Sequence, residues 1–123
     1  MDYKIPVTYH MTDEDLENII ITALEGGIGY WACLDNDNGD FRGIPEGIAT
    51  SEWCWQILKN GGSLHFFDEE DDDAEFSIDL QSLIYGIGKT ISETAWDGDI
   101  NNVDAVVADI IIQYAVFDDV IYG

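Results

Sequence analysis

Twenty-six carboxylates face only four Lys and Arg side chains in this chain, and that imbalance limits it more than any other feature. The formal net charge is −22 over 123 residues. A compact body with that charge repels itself, so it forms only if apolar burial outweighs the repulsion. The apolar residues are present in the proportion a globular protein needs: 46% of the chain is hydrophobic, with four Trp, six Tyr and five Phe. Acidic disordered chains lack that aromatic content. The length suits one domain that buries roughly two thirds of its unfolded surface. The same charge count excludes classes of partner. Four cations cannot neutralise a track of phosphates, so direct nucleic-acid binding is excluded, and adhesion to an anionic membrane surface with it.

The opening residues, MDYKIPVTYH, hold no apolar signal-peptide core. No apolar run approaches the ~18 residues of a spanning helix. The longest are short, as in Asp109-Ile110-Ile111-Ile112-Gln113. Cys33 and Cys54 sit in apolar stretches with no CxxC and no histidine at ligand spacing. They read as two buried free thiols of a reducing cytoplasm.

Hydrophobic periodicity predicts an α+β domain, with an antiparallel or mixed sheet of three to five strands packed by about four helices. Residues 3–9 (YKIPVTY) read as an edge strand, because Pro6 restricts pairing. Thr12 reads as a helix cap, followed by Asp13, Glu14, Asp15 and Glu17 where negative charge suits the helix dipole. Leu16, Ile19, Ile20, Ala23 and Leu24 make one apolar stripe, and Gly26 and Gly27 end it. A buried strand is expected at 28–34, a loop at 35–47, and a helix from Thr50 or Ser51 to about Asn60, with Trp53, Ile57 and Leu58 inward. Strands at 63–67 and from Phe76 to Leu80 flank an acidic run and predict a hairpin with that run at its tip. A third helix begins at Asp79 or Ser82 and turns Leu83, Ile84, Ile87 and Ile91 to one side, weakened by Gly86 and Gly88. A fourth, over 103–117, is apolar nearly all round and should pack centrally. The tail VIYG reads as a last strand or a docking segment.

Several motifs invite a chemical reading. Asp35, Asp37 and Asp40 offer hard oxygen ligands, but Gly39 falls one position early for an EF-hand loop, so a solvated turn is the plainer reading. Glu25, within ITALEGGIGYW, is the best single carboxylate for a perturbed acid. These residues define an alternative, a metal-dependent hydrolase. His10 and His65 lack a Ser or Cys partner in any nucleophile motif, and the glycines at 26, 27 and 29 do not form a phosphate cradle. No catalytic residue, metal or cofactor is assigned. Trp53 and Trp55 cannot share one helix face, so one of them is expected at the surface, as a candidate anchor for a protein partner. Seven acids in eight residues, Asp68, Glu69, Glu70, Asp71, Asp72, Asp73 and Glu75, form the strongest candidate interaction segment. The first-helix acids Asp13, Glu14, Asp15 and Glu17 come second.

A domain of this length is about 35 Å across. Duplex DNA carries about 20 charges over that span, comparable with the −22 here. The stretches TALEGGIGYWACLDN (22–36), GGSLHFFDEE (61–70) and IIQYAVFDDVIYG (111–123) resemble a family of small acidic proteins encoded by bacteriophages and prophages. The resemblance implies a bacterial host cytoplasm. By analogy of class, it implies an inhibitor of a host nucleic-acid-binding defence protein, in the manner of DNA-mimicking antirestriction or anti-CRISPR proteins. The expected partner is thus a basic host protein met by a monomer or homodimer. A rival is a phage module regulating the phage's own replication or packaging machinery.

Overall fold

In the computed structural model, which describes residues 1–123, Thr12 opens the first helix, α1 (Asp13–Thr22), through a reciprocal cap. Its hydroxyl accepts from Asp15 N at 3.2 Å, and the Asp15 carboxylate accepts from Thr12 N at 3.0 Å. Ile19 and Ile20 are buried, as the stripe predicts. The helix does not stop cleanly at the glycines. It widens into a π-turn over Ala23–Gly27. Gly27 lets this turn lie close against residues 105–109, because a Cβ there would be 3.0 Å from Ala105 O and 3.4 Å from Asp109 N. Residues 28–31, expected as strand, continue as a turn in which Trp31 N and Ala32 N both donate to Ile28 O. That turn carries Trp31 into the core and shortens the strand to β1 (Ala32–Leu34).

The second helix, α2 (Thr50–Lys59), is preceded by Ala49, which offers no side-chain cap; Thr50 and Ser51 lie inside the helix. It buries Cys54, Trp55, Ile57 and Leu58. Gly61 (φ +90°) and Gly62 turn the chain into β2 (Leu64–Asp68), which runs antiparallel to both β1 and β3 (Glu75–Ile78). Leu34, Phe66 and Phe76 form one cross-strand row facing the helices. Cys33, Phe67 and Glu75 form the next, on the opposite face. Cys33 is therefore exposed, against expectation, while Cys54 is buried and its thiol is pushed up to about 12 by burial. The strand expected at 3–9 does not form. Residues 1–11 make no backbone–backbone hydrogen bond, and part of this segment lies over a groove between α1 and the third helix. The sheet is therefore three-stranded, in the order β1-β2-β3.

The third helix, α3 (Leu80–Glu93), is capped by Asp79, whose Oδ1 accepts from Ser82 N at 2.8 Å. The fourth, α4 (Ala105–Phe117), is capped by Asp104 and packs centrally on α3, as its composition predicts. They approach closely at Gly86, where a Cβ would meet Ile111 O at 2.4 Å. The helix therefore turns Gly86, and not Ile84, toward α4, and Ile84 is left exposed. Asp118, in the left-handed region at φ 56°, ends α4. No helix is long and apolar enough to cross a membrane.

The two α3 glycines should respond oppositely to Ala. Gly86→Ala should destabilise by about 1–3 kcal/mol, because the methyl collides with the α4 backbone. Gly88→Ala should stabilise by about 0.5–1 kcal/mol, since nothing lies within 4 Å of the added Cβ. Urea denaturation of both variants reads the two signs.

Candidate functional site

The acidic run closes the β2–β3 hairpin, as its flanking alternation predicts. Its own backbone folds it tightly. Asp68 N donates to Ala74 O at 2.9 Å, Asp71 N to Asp68 O at 3.3 Å, and Ala74 N to Asp71 O at 3.0 Å. Two of its carboxylates hold the loop from within. Asp68 Oδ1 accepts from Glu70 N at 2.8 Å, and Asp71 Oδ1 accepts from Asp73 N at 3.0 Å. Glu69, Glu70, Asp71, Asp72, Asp73 and Glu75 are exposed, and none is within ion-pair distance of a basic side chain.

Asp68 differs from its neighbours. It is half-buried at the base of the hairpin and accepts a short hydrogen bond from the Tyr122 hydroxyl. That bond, with the one from Glu70 N, holds its carboxyl below the usual range. The Tyr122 phenol is raised in turn, chiefly by the same bond. On the other flank, Glu69 N donates to Trp31 O at 2.9 Å. The loop is thus fixed from both sides, by Trp31 and by the tail.

Both supports rest on one buried carboxylate. Asp109, 9% exposed on α4, accepts from Trp31 Nε1 at 2.8 Å, from the Tyr30 hydroxyl at 2.6 Å and from Gln113 Nε2 at 2.9 Å. Gln113, fully buried one turn later, accepts from Ile121 N and Tyr122 N, each at 2.8 Å. Tyr122 then stacks on Trp31 with ring centroids 4.8 Å apart. The tail is therefore a docking segment. The apolar run between Asp109 and Gln113 masks them in the sequence; the legible signal is two polar residues four apart in an otherwise apolar helix.

The remaining candidates lie elsewhere. The Lys59–Asp13 ion pair, at 3.1 Å, places the start of α1 beside the end of α2, next to the start of β2. The acidic hairpin tip lies at the other end of β2, about 16 Å away. Asp13, Glu14, Asp15 and Glu17 thus do not extend the tip, and Asp15 is engaged in the cap. Trp55 is buried in the core and cannot serve as a surface anchor. Trp53 is the half-buried member of the pair, its Nε1 donating to Asp40 O at 2.7 Å. Asp35, Asp37 and Asp40 form local turns, with Asp35 Oδ1 accepting from Asp37 N, and no group of three His, Cys, Asp or Glu is placed to hold a metal ion. Glu25, exposed on the π-turn, accepts from Ser51 Oγ at 2.9 Å and so ties the end of α1 to the uncapped start of α2. His65 lies on the outer face of the sheet, opposite Ser77.

Searches against protein-family models, curated proteins and solved structures gave no match to this chain.

Replacing Asp109 by Leu removes the acceptor shared by Tyr30, Trp31 and Gln113. It should cost about 3 kcal/mol or more, read by urea denaturation, because the buried Trp31 indole N–H is left unpaired and the Gln113 amide loses its shortest bond, keeping the one to Tyr122 O. A second expectation concerns alkali. Burial, and then the bond to Asp109, raise the Tyr30 phenol from 10 to about 12. A group raised in the folded state favours folding below its unfolded pKa, and that contribution is lost as pH rises through the folded value. Stability should therefore fall between about pH 10 and 12. Tyrosinate absorbance should show Tyr30 titrating late, and Tyr30→Phe should remove that share of the pH dependence.

Proposed function

We propose that this protein is a non-enzymatic, phage-type inhibitor that occupies the nucleic-acid-binding surface of a host defence protein, a CRISPR effector or restriction nuclease, through its acidic hairpin. The observation that carries the reading is the hairpin end. Six exposed carboxylates are presented on a loop that Asp68, the seventh acid of the run, and Trp31 hold in place through hydrogen bonds, and no cation of the chain pairs with them. A flexible acidic tail would lose rotational and backbone freedom on docking; a pre-formed loop has already lost it. Arg and Lys that normally hold phosphates make charge-assisted hydrogen bonds to carboxylates equally well. The rest of the −22 acts at longer range. It attracts a basic cleft before contact, speeds association and makes it salt dependent. The first-helix acids, at the far end of the sheet, contribute to that field without touching the same cleft.

The test uses a charge-reversed variant. Glu69, Glu70, Asp72 and Asp73 are changed to Lys, sparing Asp68 and Asp71, whose oxygens hold the loop. Capture of a nucleic-acid-binding protein from bacterial host lysate should fall at least ~10-fold, while the melting temperature stays unchanged or rises as repulsion is relieved. Capture by the unaltered protein should weaken steeply with salt. Unchanged capture by the variant, equal loss of fold and capture, or recovery of a phage replication or packaging protein from infected cells would overturn the proposal.

A further inference from the structure

One face of the molecule stands apart from its charge. Residues 1–11 and α3 carry two acids, Asp2 and Glu93, and two lysines, Lys4 and Lys89, so they balance to zero and the whole net charge lies elsewhere. The two segments adjoin. Val7 and Tyr9 of the first line a groove of about 380 Å³ together with Ile84, Ile87 and Ile91 of the second and Leu16 of α1. Asp118 reaches the rim of this face, where the Tyr85 hydroxyl and Lys89 meet it. The face also carries a row of exposed apolar side chains. Tyr3, Ile5 and Val7 are 76%, 80% and 68% exposed, and Tyr9, Ile84 and Tyr85 about half. Taking about 150–250 Å² for a large side chain, these six leave roughly 700 Å² open. A stable interface needs roughly 800 Å² per partner.

We propose that this face joins two copies of the chain into a homodimer with two-fold symmetry. Charge selects the occupant. Elsewhere a second copy meets a surface of its own sign, and a basic partner gains nothing from a neutral, apolar one. Here two bodies of charge −22 meet through two segments of zero net charge, with Asp118 at the rim paired to Lys89. The backbone adds a second argument. Tyr3, Ile5, Val7 and Tyr9 alternate as a strand does, yet residues 1–11 have no backbone hydrogen-bond partner. Antiparallel pairing of the two arms about the two-fold axis supplies those partners and covers the apolar row. Pro6, which has no N–H, limits the pairing to part of the arm. This inference does not depend on the reading of the acidic hairpin, which lies outside the face.

Sedimentation equilibrium across the micromolar range tests it. The mass should rise from 13.7 kDa toward twice that value. The dimer should strengthen as salt approaches about 1 M, where a Debye length of about 3 Å screens the residual repulsion; capture of a basic partner moves the other way. Ile5→Asp and Ile84→Glu should each weaken dimerisation roughly 100-fold, because a symmetric interface carries every substitution twice. Ile5 lies outside every helix and strand and is 80% exposed, so its variant keeps the circular dichroism of the parent. A 13.7 kDa species at every concentration and salt, a dimer that survives both substitutions, or co-sedimentation of the face with neutral phosphatidylcholine vesicles in place of self-association would overturn it.

Discussion

The Asp109 carboxylate, almost closed off from water and met by three neutral donors, holds this molecule together. Burying an anion is costly unless its lone pairs are filled, and here an indole, a phenol and an amide fill them. No cation is involved. In a chain with four basic side chains that solution spares a scarce resource, and it joins the turn after α1 to α4. Tyr30 and Trp31 come from the turn after α1, and Gln113 passes the connection on to the tail. Loss of this one acceptor therefore loosens three elements together, including the two that steady the hairpin.

The remaining carboxylates divide by what they touch. Asp15, Asp79 and Asp104 bond to N–H groups at the starts of helices, where the helix dipole also favours them. Asp35, Asp97 and Asp99 close short turns on their own backbone. Backbone bonds hold the Asp79 and Asp97 carboxyls below the usual range, so their contribution to stability is present above about pH 4 and is lost as acid protonates them. Much of the negative charge is thus architectural. The exposed acids of the hairpin tip have no such employment beyond the Asp71 turn, and this is the reason for reading them as directed outward.

How far the sequence carried the reading depended on whether a signal was local. Thr12 with its acids, the alternation on either side of the acidic run and the apolar fourth helix each specify their element within a few residues, and each formed as expected. The failures share a cause in distant contacts. Residues 28–31 have the composition of a strand, but Trp31 is drawn inward by an acceptor 78 residues away. Residues 3–9 alternate properly and find no strand beside them. Gly86 reads as a flaw in a helix until the carbonyl of Ile111 is seen against it. Trp53 and Trp55 are ranked only by which neighbours cover them. Of the candidate site, the tip was legible as a charge run and its supports were not, because Tyr122 and Asp68 are joined by folding alone.

The separation of the hairpin's outer acids from its anchors bears on how such a chain can change over generations. Side chains at 69, 70, 72 and 73 make no side-chain hydrogen bond that secures another element, whereas Asp68, Trp31 and Tyr122 each do. Mutation at the first set alters what the loop displays and leaves its footing intact; mutation at the second removes the footing. A lineage built on this scaffold is free to diversify its display residues rapidly while its anchors stay fixed, so variability confined to those four positions of one loop is the pattern its descendants should carry.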